Sequence, residues 1–124
     1  MTLGEAIYTY DRERENSISE EIKVNWISQL DRKISAQVWE PRGGEAFGGY
    51  DNTNFECVLK APEEYSEIYV VYLMMQTELM NGEITRYNNS AILFNRLYGE
   101  MCDFVNRMQP VKKNTKIKAG EVYV

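Results

Sequence analysis

The clearest pattern of hydrophobic and polar positions lies in residues 81–108. Apolar residues recur there at alternating steps of three and four: Ile84, Tyr87, Ala91, Phe94, Tyr98, Met101, Val105 and Met108. This spacing predicts an amphipathic helix near 83–108 with one narrow packing seam. At 1.5 Å per residue such a helix is roughly 37 Å long, which is long for so small a chain. We therefore expect the other elements to pack against it.

Two shorter helices are predicted in the first forty residues. Thr2 and Glu5 have the spacing of a capping box, and the apolar residues that follow at helical spacing predict a helix near 2–13. Ser17 and Glu20 have the same capping spacing and predict the start of a second helix near 18–39, which Pro41 ends. The expected core stripe of this second helix consists of Ile22, Trp26, Leu30, Ile34 and Val38, widened by Ile27.

A third helix is predicted near 62–81, with Pro62 at its first position. From residue 65 to residue 80 it is apolar nearly all round, which is typical of a central helix or of one covered by another subunit. Asn81-Gly82 ends it and turns the chain into the fourth helix, giving an antiparallel αα-hairpin. The predicted fold class is all-α, a four-helix-bundle-like single domain over residues 1–108.

Two segments fall outside this helical pattern. Residues 41–56 contain two Gly-Gly pairs and several turn formers, so we expect a mobile surface loop or a loop that orders only against a partner. A phosphate-binding loop is not expected there, because the Lys and Ser/Thr that such a loop requires are missing. Residues 109–124 are lysine-rich and predict a basic tail that is flexible, or that is extended and adds as a strand to a neighbour.

Composition excludes several function classes. The net charge is −5, which does not favour binding to nucleic-acid phosphates. Histidine is absent, so Ser-His and Cys-His nucleophile pairs and the usual zinc sites are excluded. Cys57 and Cys102 lack metal-type spacing and are expected to be free thiols. Neither a secretion signal nor a membrane span is expected, and no cofactor is predicted.

One acidic pattern could carry catalysis. Glu64 and Glu67, and likewise Glu100 and Asp103, are three residues apart and so share a helix face, as in the all-α nucleotide pyrophosphohydrolases that hold Mg²⁺. The lysines that accompany the motif in that family are missing, and glutamates in a first helical turn are also explained by the helix dipole. A magnesium-dependent hydrolase is therefore an alternative, and we expect that the protein is not an enzyme.

The polar residues that interrupt the fourth helix favour a binding surface instead. Asparagine lowers helix propensity by roughly 0.6 kcal/mol against alanine, yet three asparagines fall within eight positions here. Two apolar residues beside them lie off the packing seam. The alternative is an ordinary solvated surface. The predicted partner-contact residues are Arg86, Tyr87, Asn88, Asn89, Ile92 and Leu93.

A family resemblance rests on the same region. The run N-G-E-I-x-R-Y-N-N-S-x-x-x-F-N at residues 81–95 resembles a stretch of the head–tail connector (head completion, or adaptor) proteins of tailed phages and prophages. ECVLKAPEEYSEIYVVYLMMQ at 56–76 and LDRKISAQVWEP at 30–41 look similar too. The resemblance covers about residues 3–108 and contains no catalytic signature.

The resemblance implies a structural protein that forms a homo-oligomeric ring on the portal of the capsid. Its partners would be further copies of itself, the portal protein and the next tail or head-completion protein. DNA would pass through the ring without sequence-specific binding. Assembly would take place in the bacterial cytoplasm and the product would be part of the virion. A small helical regulatory binding module is the main alternative.

Overall fold

A computed structural model describes residues 1–111, and over that range the fold is all-α, as predicted. Helix α1 spans Leu3–Glu13, α2 Glu20–Ile34, α3 Glu67–Met80 and α4 Ile84–Met108. A π-helical turn, Ser35–Trp39, and a 3-10 turn, Glu40–Arg42, prolong α2, and a 3-10 turn at Glu63–Tyr65 precedes α3. Residues 1–111 contain no β-strand, and their one isolated β-bridge joins Thr2 to Val58.

The helix starts show one correct and one wrong capping prediction. The Thr2–Glu5 capping box is present with both of its hydrogen bonds. The Ser17–Glu20 box is wrong, because Ser19 is the N-cap and its hydroxyl accepts from the Ile22 amide at 3.3 Å. The end of this helix also differs from the prediction: regular α-helix stops at Ile34, and the chain continues as the π and 3-10 turns through residue 42.

Helix α3 is the central element, as its apolar sequence predicts. It packs against α1, α2 and α4, and most of its residues from Ile68 to Leu73 are buried. The Asn81 amide donates to the Thr77 carbonyl at 2.9 Å, and Gly82 takes a positive φ of 73° that suits glycine. These contacts end α3 and reverse the chain into α4.

Aromatic pairs confirm that α3 and α4 are antiparallel. Tyr72 faces Phe94 near the middle of both helices, with ring centroids 5.5 Å apart. Tyr65, just before α3, faces Phe104 near the end of α4 at 5.4 Å. A later residue of α4 therefore pairs with an earlier residue of the α3 segment, as antiparallel helices require. The predicted αα-hairpin is present.

The packing seam of α4 is correct in its middle and wrong at its ends. Phe94, Met101 and Val105 are buried, but Ile84 and Met108 are exposed, and Leu97 is a core residue that the seam omitted. The physical reason is the period of the pattern: steps of three and four average 3.5 residues, whereas a straight α-helix has 3.6. A seam of that period rotates by about 20° per heptad around the helix, so its two ends turn away from the core.

The glycine-rich loop lies against its own chain. The first free amides of α1 donate to loop carbonyls, Leu3 to Cys57 at 3.0 Å and Gly4 to Phe55 at 2.8 Å. A Cβ on Gly4 would lie 3.0 Å from the Phe55 carbonyl oxygen, so this approach favours glycine. The loop therefore meets donors of α1 that a helix start leaves free. Most of the predicted 109–124 tail, residues 112–124, lies outside the described residues.

Candidate interaction surface

Large apolar side chains are exposed where α3 turns into α4. Leu79 is 52%, Met80 55% and Ile84 57% exposed, and all three lie within six positions around the turn. We name them the hairpin-tip patch. Single exposed apolar residues are ordinary on a protein surface, whereas a group of them at one site is typical of an interaction surface. Ile92 lies two turns further along α4 and is 69% exposed.

Five of the six predicted contact residues divide between two surfaces of α4, and the sixth, Tyr87, lies on the side that faces α3. Asn88 and Ile92 follow Ile84 at steps of four residues, so they continue the outer side of α4 that begins at the hairpin-tip patch. Both are exposed. Tyr87 is half-buried beside α3. Burial raises the pKa of Tyr72 on α3, and the nearby Tyr87 hydroxyl adds to this increase.

The other three predicted residues lie on a different side of α4. Arg86 and Asn89 are exposed, and they precede the half-buried Leu93 by seven and four positions, so the three share one side of the helix. The Arg86 guanidinium lies 3.9 Å from the Glu83 carboxylate. The predicted contact residues therefore lie on more than one side of α4.

Leu93 lines a groove between α1 and α4. We name this feature the α1–α4 groove; it is open to solvent and has a volume of about 420 Å³. Val70, Val71 and Met74 of α3 form an apolar floor, and Leu93 contributes an apolar wall. The remaining lining residues are Met1, Thr9, Glu13, Ser66, Glu67 and Ser90. An apolar floor with a few polar groups at its edges is suited to binding a peptide or another apolar ligand.

A cluster of charges lies where α1 ends beside the hairpin. The Arg14 guanidinium contacts both oxygens of Glu83, at 3.0 and 3.1 Å, and lies 3.7 Å from the Glu78 carboxylate. Glu78 is 94% buried and its Oε1 has no hydrogen-bond partner among the described residues. This charge cluster connects the end of α1 to both helices of the hairpin.

Asp31 is the most completely buried charged residue of the described chain. Its carboxylate accepts hydrogen bonds from the hydroxyls of Tyr69 and Tyr50, at 2.6 and 2.5 Å, and from the Lys60 amide at 3.0 Å. Burial raises the pKa of Asp31, and these hydrogen bonds oppose the increase. Burial beside this carboxylate also raises the pKa of both tyrosines.

The Asp31 network joins α2, α3 and the loop. The hydrogen bonds to both carboxylate oxygens come from groups of the protein itself. The role of this network in the structure is therefore to hold the loop. Asp31 and Lys23 lie outside the predicted apolar stripe of the second helix, yet both are buried. Asp31 is four residues from Ile27 and from Ser35, so it shares one side of the helix with these two buried residues.

The two acidic motifs do not assemble into a metal site. Glu64, Glu67, Glu100 and Asp103 are all exposed. Across residues 1–111, no three acidic or cysteine side chains are close enough together to hold a metal ion. Cys57 and Cys102 are free and half-buried, and burial raises the pKa of both thiols.

Comparison with known proteins adds no relative. No protein-family model, no curated protein and no solved structure matches this chain. Among the helices within residues 1–111, none combines the length and the apolar character needed to cross a membrane.

Proposed function

We propose that this protein is a structural subunit of a head–tail connector of a tailed phage or prophage, which assembles as a ring on the portal and extends the DNA conduit. The observation that carries the proposal is the hairpin-tip patch, three exposed large apolar side chains at one end of the longest helix. A domain that already has a continuous core gains nothing by exposing them unless another protein chain covers them.

Three further features support this proposal. The residue pattern at 81–95 that resembles connector proteins coincides with the start of α4 and with the outer side of that helix. The all-α fold leaves exposed residues on two sides of α4 for contact with neighbouring subunits. The net charge of −5 suits a channel through which DNA passes without binding.

The proposal includes specific partners and a place of assembly. Each subunit contacts further copies of itself through the hairpin-tip patch and the outer side of α4, and the ring contacts the portal and the next tail or head-completion protein. No catalysis is needed for this role. Assembly takes place in the bacterial cytoplasm, and the ring then becomes part of the virion.

Self-association can be measured with a matched pair of variants. We expect light scattering to show oligomers that grow with protein concentration, and electron microscopy to show rings when the portal protein is added. Replacing Leu79 and Ile84 together by serine removes two exposed apolar side chains and should weaken association at least about tenfold, which corresponds to about 1.4 kcal/mol. Val58→Ser is the control, since Val58 is exposed far along the chain from the patch.

Two results would contradict the proposal. One is a chain that stays monomeric at all concentrations and forms no ring with portal. The other is magnesium-dependent nucleotide hydrolysis that is lost in Glu64→Gln or Asp103→Asn, which would favour the hydrolase alternative.

The α1–α4 groove favours the second candidate, a small helical regulatory binding module. That function predicts a discrete small oligomer and a partner unrelated to capsids, and the same light-scattering series separates it from an assembling ring.

A further inference from the structure

The α1–α4 groove has an apolar floor and one unpaired acid at its end away from the hairpin tip. That acid is Glu67, which is exposed and forms no ion pair within residues 1–111. The Met1 ammonium also lines this end, but Glu63 pairs with it, so these two charges balance. At the other end Glu13 lies beside Arg12 around a smaller hollow, so little net charge remains there. The groove therefore suits an apolar side chain with a cation beside it.

The outer side of α4 carries this combination on every copy of the chain. Ile92 is 69% exposed, and Arg96 follows it by four residues, so the two side chains lie on the same side of the helix. Arg96 is exposed, and no acid of residues 1–111 pairs with it. From residue 84 to residue 99 the chain has two arginines and no acid. This half of α4 is therefore positive, and the far end of the groove is negative.

The spacings on the two surfaces agree. Glu67 and Val71 are four residues apart on α3, and Arg96 and Ile92 are four residues apart on α4. Four residues rise about 6 Å along an α-helix. When α4 of one copy lies antiparallel to α3 in the groove of another copy, Ile92 meets Val71 and Arg96 meets Glu67 at the same time.

We propose that the outer side of α4 of one subunit binds in the α1–α4 groove of a second copy. Ile92 packs on the apolar floor, and Arg96 pairs with Glu67, so a helix lies in a groove. Because the two surfaces differ, each bound subunit keeps either a free groove or a free outer side. Repetition of such a head-to-tail contact gives a ring when the rotation closes. This proposal rests on the connector function, since it names the contact between neighbouring subunits of that ring.

A mixing experiment with two variants tests this contact. Ile92→Asp removes the apolar side chain from the outer side of α4, whereas Glu67→Arg with Ser90→Arg reverses the charge of the groove and narrows it. Each variant alone should associate at least about tenfold more weakly than the native protein in analytical ultracentrifugation. An equal mixture should form a complex of one chain of each kind and nothing larger, because one intact groove and one intact outer side remain.

Further variants serve as controls. Val58→Asp also places an acid at an exposed apolar position, and it should associate like the native protein. Arg96→Glu and Glu67→Arg should each weaken association, and a chain that carries both should recover most of the loss, because the ion pair is restored in the opposite sense. Formation of the mixed complex itself shows that both of its chains are folded.

Three results would overturn the proposal. Variants that associate like the native protein mean that the contact lies on other surfaces. A mixture without the paired complex, after each variant alone has lost association, means that the outer side of α4 does not bind the groove. If rings still form with the portal in either case, the connector function is retained. A native chain that stays monomeric with and without portal overturns the connector function together with this contact.

Discussion

Removing the Asp31 carboxylate should destabilise the fold substantially. In Asp31→Ala, the hydroxyl of the buried Tyr69 and the Lys60 amide lose their acceptor, whereas the half-buried Tyr50 can turn to water. Each buried donor without a partner costs about 1–3 kcal/mol. Removal of a desolvated charge offsets part of this cost. We therefore expect the free energy of unfolding to fall by about 3 kcal/mol, and by less in Asp31→Asn, which keeps one acceptor oxygen.

The pH dependence of stability has a definite sign. Burial raises the pKa of Asp31 in the folded protein above the value of 3.8 expected for the unfolded chain. Between the two pKa values the folded state binds more protons than the unfolded state, so stability falls as pH rises through this window. The asparagine variant lacks this titration. The stability of the native protein relative to Asp31→Asn should therefore be greatest below pH 3.8 and decline above it.

Urea unfolding followed by tryptophan fluorescence measures these differences, because Trp26 and Trp39 both lie on the prolonged second helix. Asp103→Ala, which removes an exposed acid, is the control and should change stability by less than about 0.5 kcal/mol. A cycle that combines Asp31→Ala with Tyr69→Phe should be non-additive by about 0.5–3 kcal/mol. The reasoning is refuted if Asp31→Ala is as stable as the control, or if the two single losses simply add.

Two further predictions concern the loop and the register of α4. Gly49 has a φ of 124°, and a Cβ there would lie 2.7 Å from Nη2 of Arg32, so Gly49→Ala should lower stability by about 1–3 kcal/mol. Gly48→Ala is its matched control, since a Cβ at Gly48 meets nothing within 4 Å. Leu97→Ala should cost about 2–4 kcal/mol because Leu97 is buried, and Ile84→Ala well under 1 kcal/mol because Ile84 is exposed. The same urea assay measures both pairs, and equal losses within either pair would contradict the packing described.

Features with a local physical cause could be predicted from the sequence. The Thr2–Glu5 box and the Asn81-Gly82 turn each depend on a few adjacent residues, and both were correctly predicted. The prediction of the α2 N-cap was wrong because two serines, Ser17 and Ser19, are both suitable caps and the choice between them depends on Asn16. The Asn16 side chain bonds the Arg14 carbonyl and the Ile18 amide, which holds the chain in a turn through Ser17 and delays the helix to Ser19.

Features that depend on distant partners could not be predicted in this way. The burial of Asp31 is possible because hydrogen-bond donors from residues 50, 60 and 69 meet at its carboxylate. These donors are distant in the sequence, and the residues adjacent to Asp31 do not indicate them. The predicted contact residues all lie on α4. Which of them face the groove depends on the position of α1. The apolar repeat in α4 carries no information about that position.

The bridge between Thr2 and Val58 has a consequence for the order of folding. Its two residues are 56 positions apart, so the amides at the start of α1 find their carbonyl partners only after a long loop has closed. The α3–α4 hairpin, by contrast, needs only a three-residue turn. We expect the hairpin to form early and α1 to dock late, which pulsed hydrogen exchange would show as late protection of the Leu3 and Gly4 amides. During synthesis α1 leaves the ribosome before α3 and α4, yet its first hydrogen bonds form after their hairpin.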